Sequence, residues 1–277
     1  MSYKYWTLVA LVFIAAYSFW LAVRPWLDNP LDVTQQALWL KPLIGLLVSA
    51  MLVCLTMVLI ARPKGAARLS WTDLVVVLAV VLPYWLIFVW PNTTTLLNAD
   101  WYYYLSGGVV AGLFLLWGAE QIHKDRQRHL SFSLTSAVGA GAYKVITALL
   151  LLVSLAYYFN PNVQDTARRD QLSESTRRTV QVFTMKLVEQ QAGGEVSESA
   201  FRKAFLESWH QLNNFLRPYF YLMPPLLAIG LFLVLRGFAF LFFYLMLLLL
   251  WVAWLLLLWA KVITMEKQTV EIEIPKL

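Results

Sequence analysis

Three charged residues stand where apolar sequence surrounds them, and they are the places to look for chemistry. Lys144 lies inside an apolar run, shortly after Gly139 and Gly141. Asp73 opens another such run, and Glu120 closes a third. A charge within a membrane-spanning segment is costly, so it commonly marks a proton, ion or substrate path. The same three residues can instead form a structural ion pair between helices, because breaking a buried pair leaves an unpaired charge behind. Lys144 alone could also extend its long stem to the headgroups, with its ammonium in water. Lys144, Asp73 and Glu120 are therefore read as an intramembrane charge cluster, with transport and helix pairing both open.

The other signals are mostly negative. No HExxH, GxSxG or phosphate-binding loop is present. His123, His129 and His210 fall outside the apolar runs, so intramembrane haem ligation by paired histidines is not expected. They are too few and too scattered for a zinc site. The single cysteine, Cys54, excludes an internal disulfide and reads as a small buried hydrophobe. The run from His123 to His129 is basic and could hold anionic headgroups, although such loops also arise for topological reasons. Asn92-Thr93-Thr94 matches a glycosylation acceptor. No catalytic motif, cofactor or metal is indicated, and a non-enzymatic protein is expected.

The elements that hold these residues follow from composition. Of 277 residues, 60% are hydrophobic and 14% charged, against about 25% charged in an ordinary soluble domain. A soluble globule of this size leaves roughly a quarter of its unfolded surface exposed, which such a composition could not furnish. The chain therefore reads as an all-α polytopic membrane helix bundle in contact with the lipid bilayer. The net charge of +6 does not call for nucleic acid, since Lys and Arg gather in cytoplasmic loops.

A hydrocarbon core of about 30 Å needs about 20 apolar helical residues. Seven segments qualify: 6–23, 43–60, 74–90, 102–119, 140–159, 219–235 and 238–260. The last two are separated by Arg236 and Gly237, which fits a tight hairpin or a half-inserted segment followed by one long span. Arg62, Lys64 and Arg68, then Lys124, Arg126 and Arg128, and then Arg236 mark cytoplasmic ends, whereas the loop at 92–101 has no Lys or Arg. The N-terminus is then inside and, with seven spans, the tail outside; one span fewer puts the tail inside. Trp and Tyr cluster at the outer ends, as interfacial belts do. The first segment, preceded by Lys4, reads as an uncleaved signal anchor because no small-x-small site follows it. Pro83 should kink the third span; Pro224 and Pro225 fall in a first turn, where proline is tolerated. Gly108 and Gly112 form a GxxxG step suited to close helix packing.

The chain thus divides into spans one to five (1–159), an extracytoplasmic segment (160–218), spans six and seven (219–261) and a tail (262–277). The extracytoplasmic segment reads as an amphipathic helical hairpin. Its first helix covers 174–191, and its second starts after Ser197 with Phe201, Phe205, Trp209 and Leu212 on one face. That face must be covered by the other helix, the bilayer, the spans or another subunit. The tail alternates at strand period but reads as flexible, since one strand is not stable alone.

Tyr157-Tyr158-Phe159-Asn160-Pro161, Asn214 through Tyr219, the Met223-Pro224-Pro225 turn and the Glu266-Lys267 tail resemble a group of multi-span membrane proteins of small-genome bacteria. The likeness runs from Phe159 to the end and implies a bacterial cytoplasmic (inner) membrane, with no activity attached. The functional expectation is an envelope scaffold or complex subunit that binds a protein partner, or forms a homo-oligomer, through residues 160–218. The alternative is a small transporter or channel with Lys144, Asp73 and Glu120 near its cytoplasmic mouth.

Overall fold

A computed structural model describes residues 3–27, 36–60, 70–88, 101–128, 134–160, 163–164, 177, 180–182, 184–185 and 198–262. The first helix of the expected hairpin, the loops that carry Arg62, Lys64, Arg68 and Asn92, and the tail beyond Val262 lie outside the described residues, apart from scattered positions.

The apolar runs of the first half become five helices: α1 (Tyr3–Trp26), α2 (Gln36–Leu59), α3 (Trp71–Phe88), α4 (Trp101–Arg128) and α5 (Leu134–Tyr158). They pack as a bundle. α1 lies against α2 and α3, α4 lies against α5, and α2 and α5 meet at the centre. Among the described residues there is no strand, and seven helical stretches are long and apolar enough to cross a membrane. The chain is an all-α bundle of multi-pass membrane type.

Inside a bilayer the hydrophobic effect gives helices little reason to associate, because acyl chains are as apolar as leucine; close packing has to do it. The glycines show where this happens. A methyl group on Gly45 would lie 3.0 Å from the Phe19 backbone, so α1 and α2 touch there. One on Gly107 would lie 2.9 Å from Leu155, and one on Gly108 2.9 Å from the Trp85 indole nitrogen. Gly108 therefore seats α4 on α3, while Gly112 meets only ordinary contact with Val77 at 3.5 Å. The tightest point is the α4–α5 crossing. There a methyl on Gly141 would run into Ile122 and lie 2.7 Å from the Gly118 carbonyl oxygen.

The second half continues as α6 (Glu198–Leu216), a 3₁₀ turn (Arg217–Leu222) containing Pro218, α7 (Met223–Gly237) and α8 (Ala239–Trp259). Pro224 and Pro225 occupy the first turn of α7, where their missing N–H groups lose nothing. The junction of α7 and α8 is a bend, not a hairpin. Phe238 N–H bonds the Val234 carbonyl, the Phe242 N–H bonds the Phe238 carbonyl, and Phe238 itself has φ −86° and ψ −4°. Phe238 is thus in the right-handed region, and helical hydrogen bonds run into and out of it, as in a bent helix. Packing agrees. Ala228, Leu231, Leu235, Ala239, Phe242, Met246, Leu250 and Trp254 are buried at unbroken three-and-four spacing across the bend. α7 and α8 form one rod whose single buried stripe lies on α5 and then α2. The left-handed residue comes only at the end. Lys261 has φ 53°, and Val262 N–H reaches the Leu257 carbonyl to close the rod.

The expected partner face lies on α6. Phe201, Phe205 and Trp209 do share a face, with rings stacked 6.1 and 6.0 Å apart. Phe205 and Trp209, however, are only 7% and 6% exposed within this chain. Leu212, at 40% exposure, and Phe215 are exposed large apolar side chains among the described residues of this element.

Candidate functional site at the charged end of the bundle

The chain ends of five helices meet at one end of the bundle. Ser70 starts α3: its carbonyl accepts the N–H groups of Asp73 and Leu74, and its hydroxyl accepts that of Thr72 at 3.3 Å. The Tyr5 hydroxyl, from the first turn of α1, donates to the Thr72 carbonyl at 3.0 Å. Arg126, in the last turn of α4, donates to the Val58 carbonyl at 2.7 Å and the Ile60 carbonyl at 3.5 Å. Those carbonyls have no partner inside α2, so the guanidinium caps that helix from a neighbour.

Within this layer Asp73 is completely buried and hydrogen-bonded to His123 Nε2 at 3.0 Å; His123 is 4% exposed. With Asp73 ionised, its oxygens can only accept, so the imidazole nitrogen facing it carries the proton. Such a pair joins α3 to α4, and removing one partner takes this contact from a buried polar group.

Asp73, Glu120 and Lys144 share one end of the bundle, and Glu120 and Asp125 both act on the Lys144 ammonium. Asp73 takes His123 as partner. Glu120 pairs with Lys124 one turn along α4, at 2.8 Å. Lys144 sits with its ammonium 3.7 Å from the centre of the Trp117 ring and 3.5 Å from Gln121 Oε1. Gln121 in turn donates to the Asp125 carboxylate at 3.1 Å. The lysine stays half-buried over an indole face, an arrangement that holds a cation without full desolvation.

Two side chains, one in this layer and one near the middle of α5, lie where the apolar runs alone do not place them. His123 was placed outside the spans, yet α4 continues to Arg128 and buries the imidazole. The readable signal was helical spacing: Leu115, Ala119 and Ile122 form the buried stripe of α4, and it does not stop at Glu120. Arg236 was read as a loop charge. It lies inside the rod, with its guanidinium 4.0 Å from the Tyr143 ring centre and Nη1 donating to the Thr147 hydroxyl at 2.6 Å.

Among the described residues, no group of three His, Cys, Asp or Glu side chains is placed to hold a metal. No protein family, curated protein or solved structure matches the chain.

Proposed function

We propose that the chain is a multi-pass subunit of a bacterial cytoplasmic membrane that acts by assembly and not by catalysis. Its partner is a second copy, docked along the open face of the α7–α8 rod. The observation that carries this reading is the rod's length. From Met223 to Trp259 it extends about 55 Å at 1.5 Å per residue, against about 30 Å of hydrocarbon in a bilayer. Exposed Leu226, Ile229, Leu233, Phe240, Leu248 and Leu255 keep its outer side apolar for most of that distance. Tilt of up to about 40° accommodates part of the excess and leaves the rest for protein to cover.

Two glycines indicate where the second copy lies. Gly230 and Gly237 are exposed and seven residues apart, hence on one side of the rod, roughly opposite the buried stripe. Each costs about 1 kcal/mol relative to alanine in a helix, and a side chain at either would meet nothing within 4 Å in this chain. Gly45, Gly107, Gly108 and Gly141 are each required by a neighbouring helix. Gly230 and Gly237 make the same kind of close approach available to a neighbour outside the chain. A two-fold dimer uses the same face on both copies. In this reading the charged end faces the cytoplasm with the N-terminus, residues 160–218 lie outside, and the rod, which does not turn back, returns the tail to the cytoplasm.

The test is the mass of the solubilised protein. Wild type is expected to run as a dimer. Gly230→Leu and Gly237→Leu should each weaken it by at least about tenfold, or 1.4 kcal/mol, while Gly139→Leu, also in open space, leaves it intact. A monomeric wild type, or a dimer indifferent to Gly230→Leu, would refute the proposal. A transport function is the second reading, favoured by the burial of Asp73 with His123 inside the bundle. It requires solute or proton flux in reconstituted vesicles that Asp73→Asn abolishes.

A further inference from the structure

An exposed apolar stripe runs past the outer end of the rod. Leu212, Phe215, Tyr219, Leu222 and Leu226 recur at steps of three and four residues, and all five are exposed. The next step of four reaches Gly230, on the open face of the rod. The backbone stays right-handed helical across the 3₁₀ turn, at Leu216 (φ −81°, ψ −15°), Leu222 (φ −89°, ψ −11°) and Met223 (φ −58°, ψ −48°). The chain from Phe205 to Gly237 is therefore one helical run. Three residues per turn set Leu222 over Tyr219, while Phe220, a third of a turn away, is buried. The rings of Phe215 and Tyr219 are neighbours, with centres 6.4 Å apart. None of the five side chains is charged, so a surface that covers them strands no charge.

Depth separates this part of the stripe from the rest. Arg236 bonds Thr147, near the middle of α5, and so lies near mid-span. Met223 precedes Arg236 by thirteen residues, or about 20 Å of helix, whereas half the hydrocarbon is about 15 Å thick. The end of α6 and the 3₁₀ turn come before Met223, so Leu212, Phe215 and Tyr219 belong to the headgroup layer and the water beyond it. Covering apolar surface is favourable there, as it is not between helices among acyl chains. We propose, on the assembly reading above, that two copies of the chain meet along the whole stripe. The interface then continues out of the membrane to Leu212, with Phe215 and Tyr219 of each copy against their counterparts. Copies inserted alike run parallel, and a two-fold axis along the rod sets each residue of the stripe beside the same residue of the second copy. Gly230 and Gly237 permit the close approach inside the bilayer, and the part outside it supplies a driving force that lipid does not.

The experiment is the dimer dissociation constant of the full chain in detergent, read from its mass over a dilution series. Leu212→Ser combined with Phe215→Ser should raise that constant at least about tenfold. His210→Ser, exposed on the other side of α6, should leave it unchanged. Helical circular dichroism verifies folding. Single cysteines at Phe215, Tyr219 and His210 on a Cys54→Ala background give a second reading that does not depend on the serine variant. Oxidation in the membrane should yield covalent dimers at Phe215 and Tyr219 and few at His210. An unchanged dissociation constant in the folded serine variant, or yields at Phe215 and Tyr219 no higher than at His210, would overturn the proposal and leave these side chains to the lipid headgroups. A dimer that Gly230→Leu weakens and the serine variant does not refutes the extension alone. A monomeric wild type refutes the assembly reading and the extension with it.

Discussion

Asp73→Ala is expected to lower the stability of the folded bundle by about 3 to 5 kcal/mol, the usual cost of removing one partner of a buried charged pair. The reason lies in His123, which would stay 4% exposed with its ring nitrogen facing a cavity. Asp73→Asn should cost less, since an amide oxygen can still accept the hydrogen bond. Replacing both residues, as Asp73→Leu with His123→Leu, should recover part of the loss, because neither member of the pair is then left without the other. The measurement is denaturant unfolding in mixed micelles, arranged as a double-mutant cycle. Additive losses would mean that the two residues act independently and that the contact does not hold α3 to α4.

Gly141→Val should be the most damaging single substitution in the α4–α5 seam. Even a methyl group there collides with Ile122 and approaches the Gly118 carbonyl oxygen to 2.7 Å. A side chain can rotate away from such a clash; a backbone carbonyl cannot. Overpacking a filled core typically costs about 1 to 3 kcal/mol, and here the two helices must separate along their closest contact, so the upper end is expected. Gly139→Ala, two residues away and with nothing within 4 Å, should be neutral or stabilising by up to about 1 kcal/mol. Thermal unfolding of the two variants side by side tests this directly. Equal melting temperatures would show that the seam is looser than its geometry.

Much of the architecture is written in the hydropathy. The segments expected at 43–60 and 74–90 correspond to α2 (Gln36–Leu59) and α3 (Trp71–Phe88), because an apolar run of span length has no other stable conformation in lipid. Boundaries were less legible where a helix leaves apolar sequence. The segment at 102–119 extends to Arg128, since its last turns bury one stripe and solvate the other. The α7–α8 junction was ambiguous for a related reason. Arg236-Gly237 has the composition of a helix end, yet Gly237 never adopts the left-handed conformation that would end one. The unbroken stripe against α5 keeps the helix going.

The charged site was half legible. That Asp73, Glu120 and Lys144 lie at one end followed from their places in the runs. Which group each one meets depends on how α3, α4 and α5 are rotated about their axes, and composition does not encode that. Helical spacing puts Phe205 and Trp209 on one apolar face, but what covers that face is a tertiary question.

The most direct test of the assembly reading is disulfide formation within the membrane. Single cysteines would be placed on a Cys54→Ala background at Leu226, Gly230, Leu233, Gly237 and Tyr244 along the open face. Leu231 and Leu235 in the buried stripe, and Leu11 and Ile14 on exposed α1, serve as controls. The account predicts that oxidation yields covalent dimers at the open-face positions, with yields highest at Gly230 and Gly237, and little at either control set. Uniformly low yields along the rod, or yields on α1 as high as on the rod, would contradict it.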